Sequence, residues 1–199
     1  MKVLLIGANG TIGKLVKQNL APRHDIIEVG KTSGKYQVDI SSESSIRKLF
    51  EQVGKVDAIV VAAGDVHFGT MKDMTEEQFK LGLNSKLLGQ VNVTLIGQHY
   101  LNEGGSITLT SGSLSHNPTF GGTNFSTVNA AVNGFVLGAA LELKQDRRIN
   151  VVSPAVLTES WGVYGAAFPG HESVPGSKVA LAYQRSVEGF ETGQQYRIW

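Results

Sequence analysis

Short, unbroken apolar runs alternate along the chain with longer stretches whose apolar residues recur at helical spacing. Val3-Leu4-Leu5-Ile6 ends in Gly7, as a strand buried on both faces does. Ile12, Leu15, Val16 and Leu20 then mark one face of a helix from Thr11 to Leu20. Residues 25–29 and 36–39 predict two further strands, and Ser41 or Ser42 caps a helix through Ile46, Leu49, Phe50 and Val53. Residues 57–63 form a fourth strand. Thr75-Glu76-Glu77-Gln78 is a capping box, and it opens one long helix through Phe79, Leu83, Leu87, Val91 and Ile96. Residues 106–110 predict a strand, about 122–145 a long Ala/Gly-rich helix, and 149–153 a strand stopped by Pro154. A Gly/Pro-rich stretch with Trp161, Tyr164 and Phe168 follows, then a helix over 177–187 and a last strand over 194–198. This β-α-β order with right-handed crossovers predicts an α/β fold, a three-layer, doubly wound parallel sheet of Rossmann type, as one domain over residues 1–199.

Composition narrows the function. The 199 residues contain no cysteine and carry a net charge of +1, with 41% hydrophobic and 18% charged residues. That excludes a disulfide scaffold or cysteine-ligated metal and argues against nucleic acid as a partner. No apolar run reaches the ~18 residues of a membrane span. The opening residues read as a strand rather than a signal peptide, so the expected compartment is the cytoplasm. His67, His116 and His171 lack metal-ligand spacing, and no metal is expected.

Gly7-Ala8-Asn9-Gly10-Thr11-Ile12-Gly13 places three glycines at the first strand–helix junction. There, small residues let main chain approach a pyrophosphate, and the helix N-terminus supplies free N–H groups. Gly7, Asn9, Gly10, Thr11, Ile12 and Gly13 are therefore expected to bind a dinucleotide. The second strand ends without a carboxylate at the ribose position and continues into Lys31-Thr32-Ser33, a cation and two hydroxyls suited to a 2′-phosphate. This favours NADP(H) over NAD(H). Glu28, one or two positions early, is the residue that could reverse the preference.

With these motifs the chain resembles the short-chain dehydrogenase/reductase family over essentially its whole length. Asp39-Ile40 resembles the pair that meets the adenine ring. Ala62-Ala63-Gly64 resembles the Asn-Asn-Ala-Gly segment without its asparagines. Asn84 matches the helix asparagine of the proton relay, and the run 105–111 resembles the strand leading to the catalytic serine. Ser153-Pro154-Ala155 resembles the Pro-Gly motif beside the nicotinamide, and Thr192-Gly193-Gln194 the turn before the last strand. The resemblance implies cofactor contacts at Asp39, Ile40, Ala62, Ala63, Gly64, Asn129, Pro154 and Val156, and catalytic roles for Asn84 and Ser111, with Ser113 the competing hydroxyl.

The resemblance fails at its Tyr-x-x-x-Lys pair. Ala130-Ala131-Val132-Asn133-Gly134-Phe135 sets the register, which puts Phe125 at the tyrosine position and Asn129 at the lysine position. Phe125 has no proton to give, and Asn129 can hydrogen-bond a ribose hydroxyl but carries no charge. Two functions stay open: an oxidoreductase acting on a small carbonyl or alcohol substrate with a rewired proton donor, or a non-catalytic dinucleotide sensor or scaffold. The resemblance also implies a homodimer or homotetramer.

Overall fold

The computed structural model describes residues 1–199. Seven parallel strands form one sheet in the order β3-β2-β1-β4-β5-β6-β7. They are β1 (Lys2–Ile6), β2 (Asp25–Gly30), β3 (Tyr36–Gln37), β4 (Val56–Val61), β5 (Leu101–Thr110), β6 (Arg148–Pro154) and β7 (Gln195–Ile198). The main helices are α1 (Thr11–Leu20), α2 (Glu43–Val53), α3 (Glu76–Leu81), α4 (Gly89–Gly97), α5 (Thr123–Glu142), the short α6 (Trp161–Tyr164) and α7 (Gly176–Glu188).

The period-two alternation of the central strands builds the three layers. On one face Leu4, Ile6, Ile59 and Val61 pack with Phe50 of α2, Val93 of α4 and Val132 of α5. On the other face Val3, Leu5, Ala58 and Val60 pack with Val16 of α1 and Val179 and Tyr183 of α7. Both faces of β1 and β4 are buried, which is why these strands read as continuous apolar runs. Strand order reverses between β1 and β4, and a crevice opens at their carboxyl ends, as parallel sheets of this topology require.

The expected long helix from Thr75 is broken. The capping box forms as predicted, with the Thr75 and Gln78 side chains exchanging bonds with each other's main chain. Beyond α3, residues Gly82–Leu88 form a π-helical turn, in which the Gly89 N–H reaches back to the Asn84 carbonyl. Hydrophobic periodicity cannot show this widening, because the apolar residues on either side keep nearly the same spacing. Strand β5 begins at Leu101, earlier than the apolar run suggested, because Val56 of β4 pairs with Leu101 before the register shifts.

Candidate functional site

The β1–α1 turn is made of main chain packed too closely for side chains. Gly7 has φ +86°, and a Cβ on it would lie 2.4 Å from the Ala62 carbonyl oxygen. A Cβ on Gly13 would lie 2.0 Å from the Gly7 oxygen, so the helix can touch the strand only if residue 13 is glycine. Gly10, at the N-cap of α1, donates no side-chain cap, and no acidic residue stands in the first turn. The first N–H groups of a ten-residue helix are thus left facing the crevice, with the helix dipole favouring an anion there.

The crevice has a volume of roughly 380 Å³ and is lined by Gly7, Asn9, Gly10, Lys31, Thr32, Ser33, Asp39, Ile40, Ala62, Ala63 and Gly64, among others. Of the expected cofactor contacts, Thr11, Ile12 and Gly13 lie in the first turn of α1. Asn129, Pro154 and Val156 lie at the other end, on α5 and at the end of β6. The Asn9 amide donates to Ser33 Oγ at 3.0 Å, which ties the glycine turn to the loop after β2. Glu28 forms an ion pair with Lys17 of α1 at 2.7 Å and does not line the crevice. Lys31 reaches across the mouth to Asp65 at 3.3 Å, both side chains being largely exposed. Asp39 accepts hydrogen bonds from the Ser41 hydroxyl and main-chain N–H, which hold its carboxyl below the usual carboxylate range. Ile40 is buried against Gly89, where a Cβ would come within 2.8 Å of it.

At the other end of the cleft, Ser111 continues β5, its N–H donating to the Val152 carbonyl at 2.9 Å. Its hydroxyl is buried without a hydrogen-bond partner, as is Asn129 Oδ1 on α5. Asn129 lies against the main chain after Ser111: a Cβ on Gly112 would lie 2.9 Å from Asn129 Nδ2. Phe125 packs edge-on against Phe68 of the loop after β4, with ring centroids 5.9 Å apart. The expected tyrosine position is thus an apolar wall.

Asn84 lies in the π-helical turn, where its carbonyl accepts the Gly89 N–H. It is exposed, and its side chain makes no hydrogen bond. The π-helical turn changes which residues face the crevice: Ser85 Oγ accepts from the Asp65 N–H at 2.9 Å, and the Lys86 side chain lies across Gly64. Burial lowers the Lys86 ammonium to about 8. Ser113 is only partly buried in a short turn. His116 is exposed at the β7 edge, bonded to Ser115 and Arg197 and packed against Trp199, away from the crevice. Tyr164 is also exposed, whereas Phe168 of the same Gly/Pro-rich stretch is buried.

Sequence reasoning missed the residues that hold this end together. Gln90 is fully buried, and its amide donates to the Lys86 and Thr110 carbonyls while accepting the Thr110 N–H. It therefore pins the π-helical turn to the strand that delivers Ser111. Thr110 Oγ1 donates to the Val61 carbonyl, and the buried Tyr183 hydroxyl lies 2.5 Å from it. Asn124, fully buried, accepts from the His67 N–H and donates to the Phe79 carbonyl, joining α5 to α3 and to the loop after β4. A lone polar residue inside an amphipathic pattern gives no sign in the sequence of such partners.

A glycine turn packed on β1, an uncapped helix N-terminus and a crevice at the strand-order reversal define a dinucleotide-binding α/β protein. The short chain dehydrogenase family model matches residues 23–162, and the chain belongs to the short-chain dehydrogenase/reductase family. It is similar to the protein lin1944 from Listeria innocua, with a TM-score of 0.99 and 44% identity over the full length of both chains. It also resembles a small-chain dehydrogenase solved in complex with NADPH, at 27% identity and a TM-score of 0.87 over 100% of this chain and 96% of that one. An uncharacterized oxidoreductase of Methylorubrum extorquens is 31% identical over 146 residues, 70% of this chain and 58% of the relative. The chain spans about half the length of the curated relatives it matches. No helix is long and apolar enough to cross a membrane.

Proposed function

We propose that the chain binds NADP(H) along the carboxyl ends of β1, β2 and β4 and acts as an oxidoreductase on a small carbonyl or alcohol substrate. The reading rests on one observation: Glu28 is held by Lys17 outside the crevice, while Asn9, Lys31, Thr32 and Ser33 line it. A phosphate monoester there gains a cation and hydroxyl donors, and it displaces Asp65 from Lys31. The glycine turn and the free N–H groups of α1 suit the pyrophosphate, and Asp39 and Ile40 border the adenine end. In this reading Asn129 holds the nicotinamide ribose, its buried Oδ1 being without a partner in the protein. When bound, the coenzyme supplies or accepts hydride. Ser111 orients the substrate oxygen, and Phe68 with Phe125 excludes water from it. Residues 1–199 act as one domain in this reading, and the expected cytoplasmic compartment is retained.

Exposed Leu88 and Leu95 on the π-turn and α4, with Leu137 and Leu141 on α5, give an apolar face suited to a second copy of the chain. Phe125 favours a second reading, a dinucleotide sensor without turnover, since the tyrosine hydroxyl has no counterpart at that position. Titration with NADPH and NADH, followed by nicotinamide fluorescence, tests the coenzyme assignment. NADPH should bind at least tenfold more tightly, and equal affinities would refute it. Oxidation of NADPH with a panel of aldehydes, ketones and quinones then separates enzyme from sensor.

A further inference from the structure

We propose that Asp65 is a selectivity-determining residue of the coenzyme site: by holding Lys31 across the mouth of the crevice it competes with the 2′-phosphate and limits the preference for NADP(H) that Lys31 confers. The role rests on the NADP(H) reading above and adds to it a residue from the far side of the crevice. Lys31 Nζ donates to Asp65 Oδ2 at 3.3 Å, and both residues line the crevice. They belong to different connections, Lys31 following β2 and Asp65 lying beyond β4. Strand β1, with its glycine turn, stands between those two strands, so the ion pair joins the two sides of the crevice.

The charges around the crevice are unevenly matched. Lys31 is the only cation among its lining residues, whereas Asp39 and Asp65 are both carboxylates. Asp39 is held chiefly by the Ser41 hydroxyl and main-chain N–H, and it feels the Lys31 charge as well. Lys31 therefore stands between two carboxylates, and a phosphate that bonds it meets both. The free N–H groups of α1 offset negative charge at the glycine turn, but their effect falls off within the first turn of the helix. Asp65 cannot retreat by moving its main chain. Its N–H is held by Ser85 Oγ at 2.9 Å, and Ser85 is buried in the π-helical turn. The carboxylate itself makes one hydrogen bond, to Lys31.

A 2′-phosphate monoester carries about −1.5 to −2 charge at neutral pH. To bond Lys31 it must part the lysine from Asp65. NAD(H) brings a hydroxyl in place of the phosphate, leaves the ion pair closed and meets no such cost. Asp65 thus acts on the difference between the two coenzymes, which is what selectivity measures, rather than on the dinucleotide they share. The Lys31 and Asp65 side chains are 64% and 60% exposed, so the effect is modest and is screened by salt.

Equilibrium titrations with NADPH and NADH, read by nicotinamide fluorescence, test this role without any need for turnover. They are run on wild type, Asp65→Asn, Asp65→Glu, Lys31→Met and the Asp65→Asn, Lys31→Met double variant, at about 50 mM and about 500 mM NaCl. Asp65→Asn should tighten NADPH binding roughly three- to fivefold at the lower salt, the worth of an exposed ion pair, with NADH within about twofold of wild type. The gain should shrink below about twofold at the higher salt. Asp65→Glu keeps the charge and should match wild type. Once Lys31 is Met, Asp65→Asn should change NADPH binding by less than about twofold, because no cation is left to release. Unchanged NADPH affinity in Asp65→Asn, an equal gain for NADH, or the same gain from Asp65→Glu overturns the proposal and leaves the NADP(H) reading standing. A gain kept in full without Lys31 overturns it too, since the carboxylate would then act on the phosphate directly. Wild type that binds neither coenzyme refutes the NADP(H) reading, and this role with it.

Discussion

The two ends of the cleft are built from different materials. Around Gly7, Gly10 and Gly13 the wall is main chain, and recognition needs only N–H groups and close approach. Around Ser111, Phe125 and Asn129 the structure is side chain, held by buried amides on neighbouring helices. The first end keeps the motif of its family, because any added Cβ collides with backbone that cannot move. At the second end the sequence register puts Phe125 and Asn129 at the family's tyrosine and lysine positions, over a parallel sheet that is kept. Main-chain sites tolerate little change in sequence, whereas a side-chain site can be rebuilt on an unchanged scaffold.

Breaking the main-chain end should have the largest effect. Gly13→Val puts a branched side chain where even a Cβ would meet the Gly7 oxygen at 2.0 Å. It should reduce NADPH affinity at least 100-fold and destabilise the fold by about 1–3 kcal/mol through overpacking. Fluorescence titration and urea denaturation read the two effects; unchanged affinity in a folded variant would show that the turn does not cradle the coenzyme. Lys31→Glu tests the phosphate end of the same wall. It should weaken NADPH binding by roughly 10–100-fold, the worth of a charge-assisted hydrogen bond of about 1.5–3 kcal/mol, and leave NADH nearly unchanged. Equal losses for both coenzymes would mean that Lys31 does not distinguish them.

The side-chain end predicts a stability change of opposite sign. The folded-state value of Lys86 is lowered, to about 8. The native state therefore holds fewer protons than the unfolded chain between about pH 8 and the unfolded lysine value near 10.4, and stability rises with pH in that window. The full penalty is present below pH 8. Lys86→Met should then stabilise the protein at pH 7 by about 1–3 kcal/mol, with the gain fading as pH rises above 8. Chemical denaturation at pH 7 and pH 10 measures it, and a destabilised variant at pH 7 would show that the amine is not buried as described.

The smallest effect lies at the amino ends of the strands, remote from both walls. Asp57 accepts from the Lys2 N–H and from Asn102, which lower its pKa. Its contribution is present above the unfolded carboxylate value of about 3.9 and is lost as pH falls through its lower folded value. Asp57→Asn should cost about 1 kcal/mol at pH 7, give a flatter fall in Tm below pH 4, and leave NADPH affinity unchanged. A changed affinity would mean that the two ends of the sheet are coupled.

Much of the architecture was legible in the chain. Strands buried on both faces announce themselves as unbroken apolar runs, and Gly7, Gly10 and Gly13 report a turn that excludes side chains. The motif around Ala130-Ala131 gave the register that exposed Phe125 and Asn129. The π-helical turn around Asn84 was not legible, because the pattern of Leu83, Leu87 and Val91 suits a regular helix, whereas the turn presents Ser85 to the crevice.

The sequence by itself determined the order of strands and helices, the main-chain cradle and the absence of a tyrosine on α5, because steric exclusion and periodicity act over a few neighbouring residues. Only the tertiary structure decided that Glu28 turns to Lys17, that Gln90 and Asn124 tie α5 and the π-helical turn to the strands and loops around Ser111, and that the Lys86 side chain lies beside Gly64. The surroundings of a polar side chain are set by elements distant in sequence, and burial and pairing arise only once those elements pack.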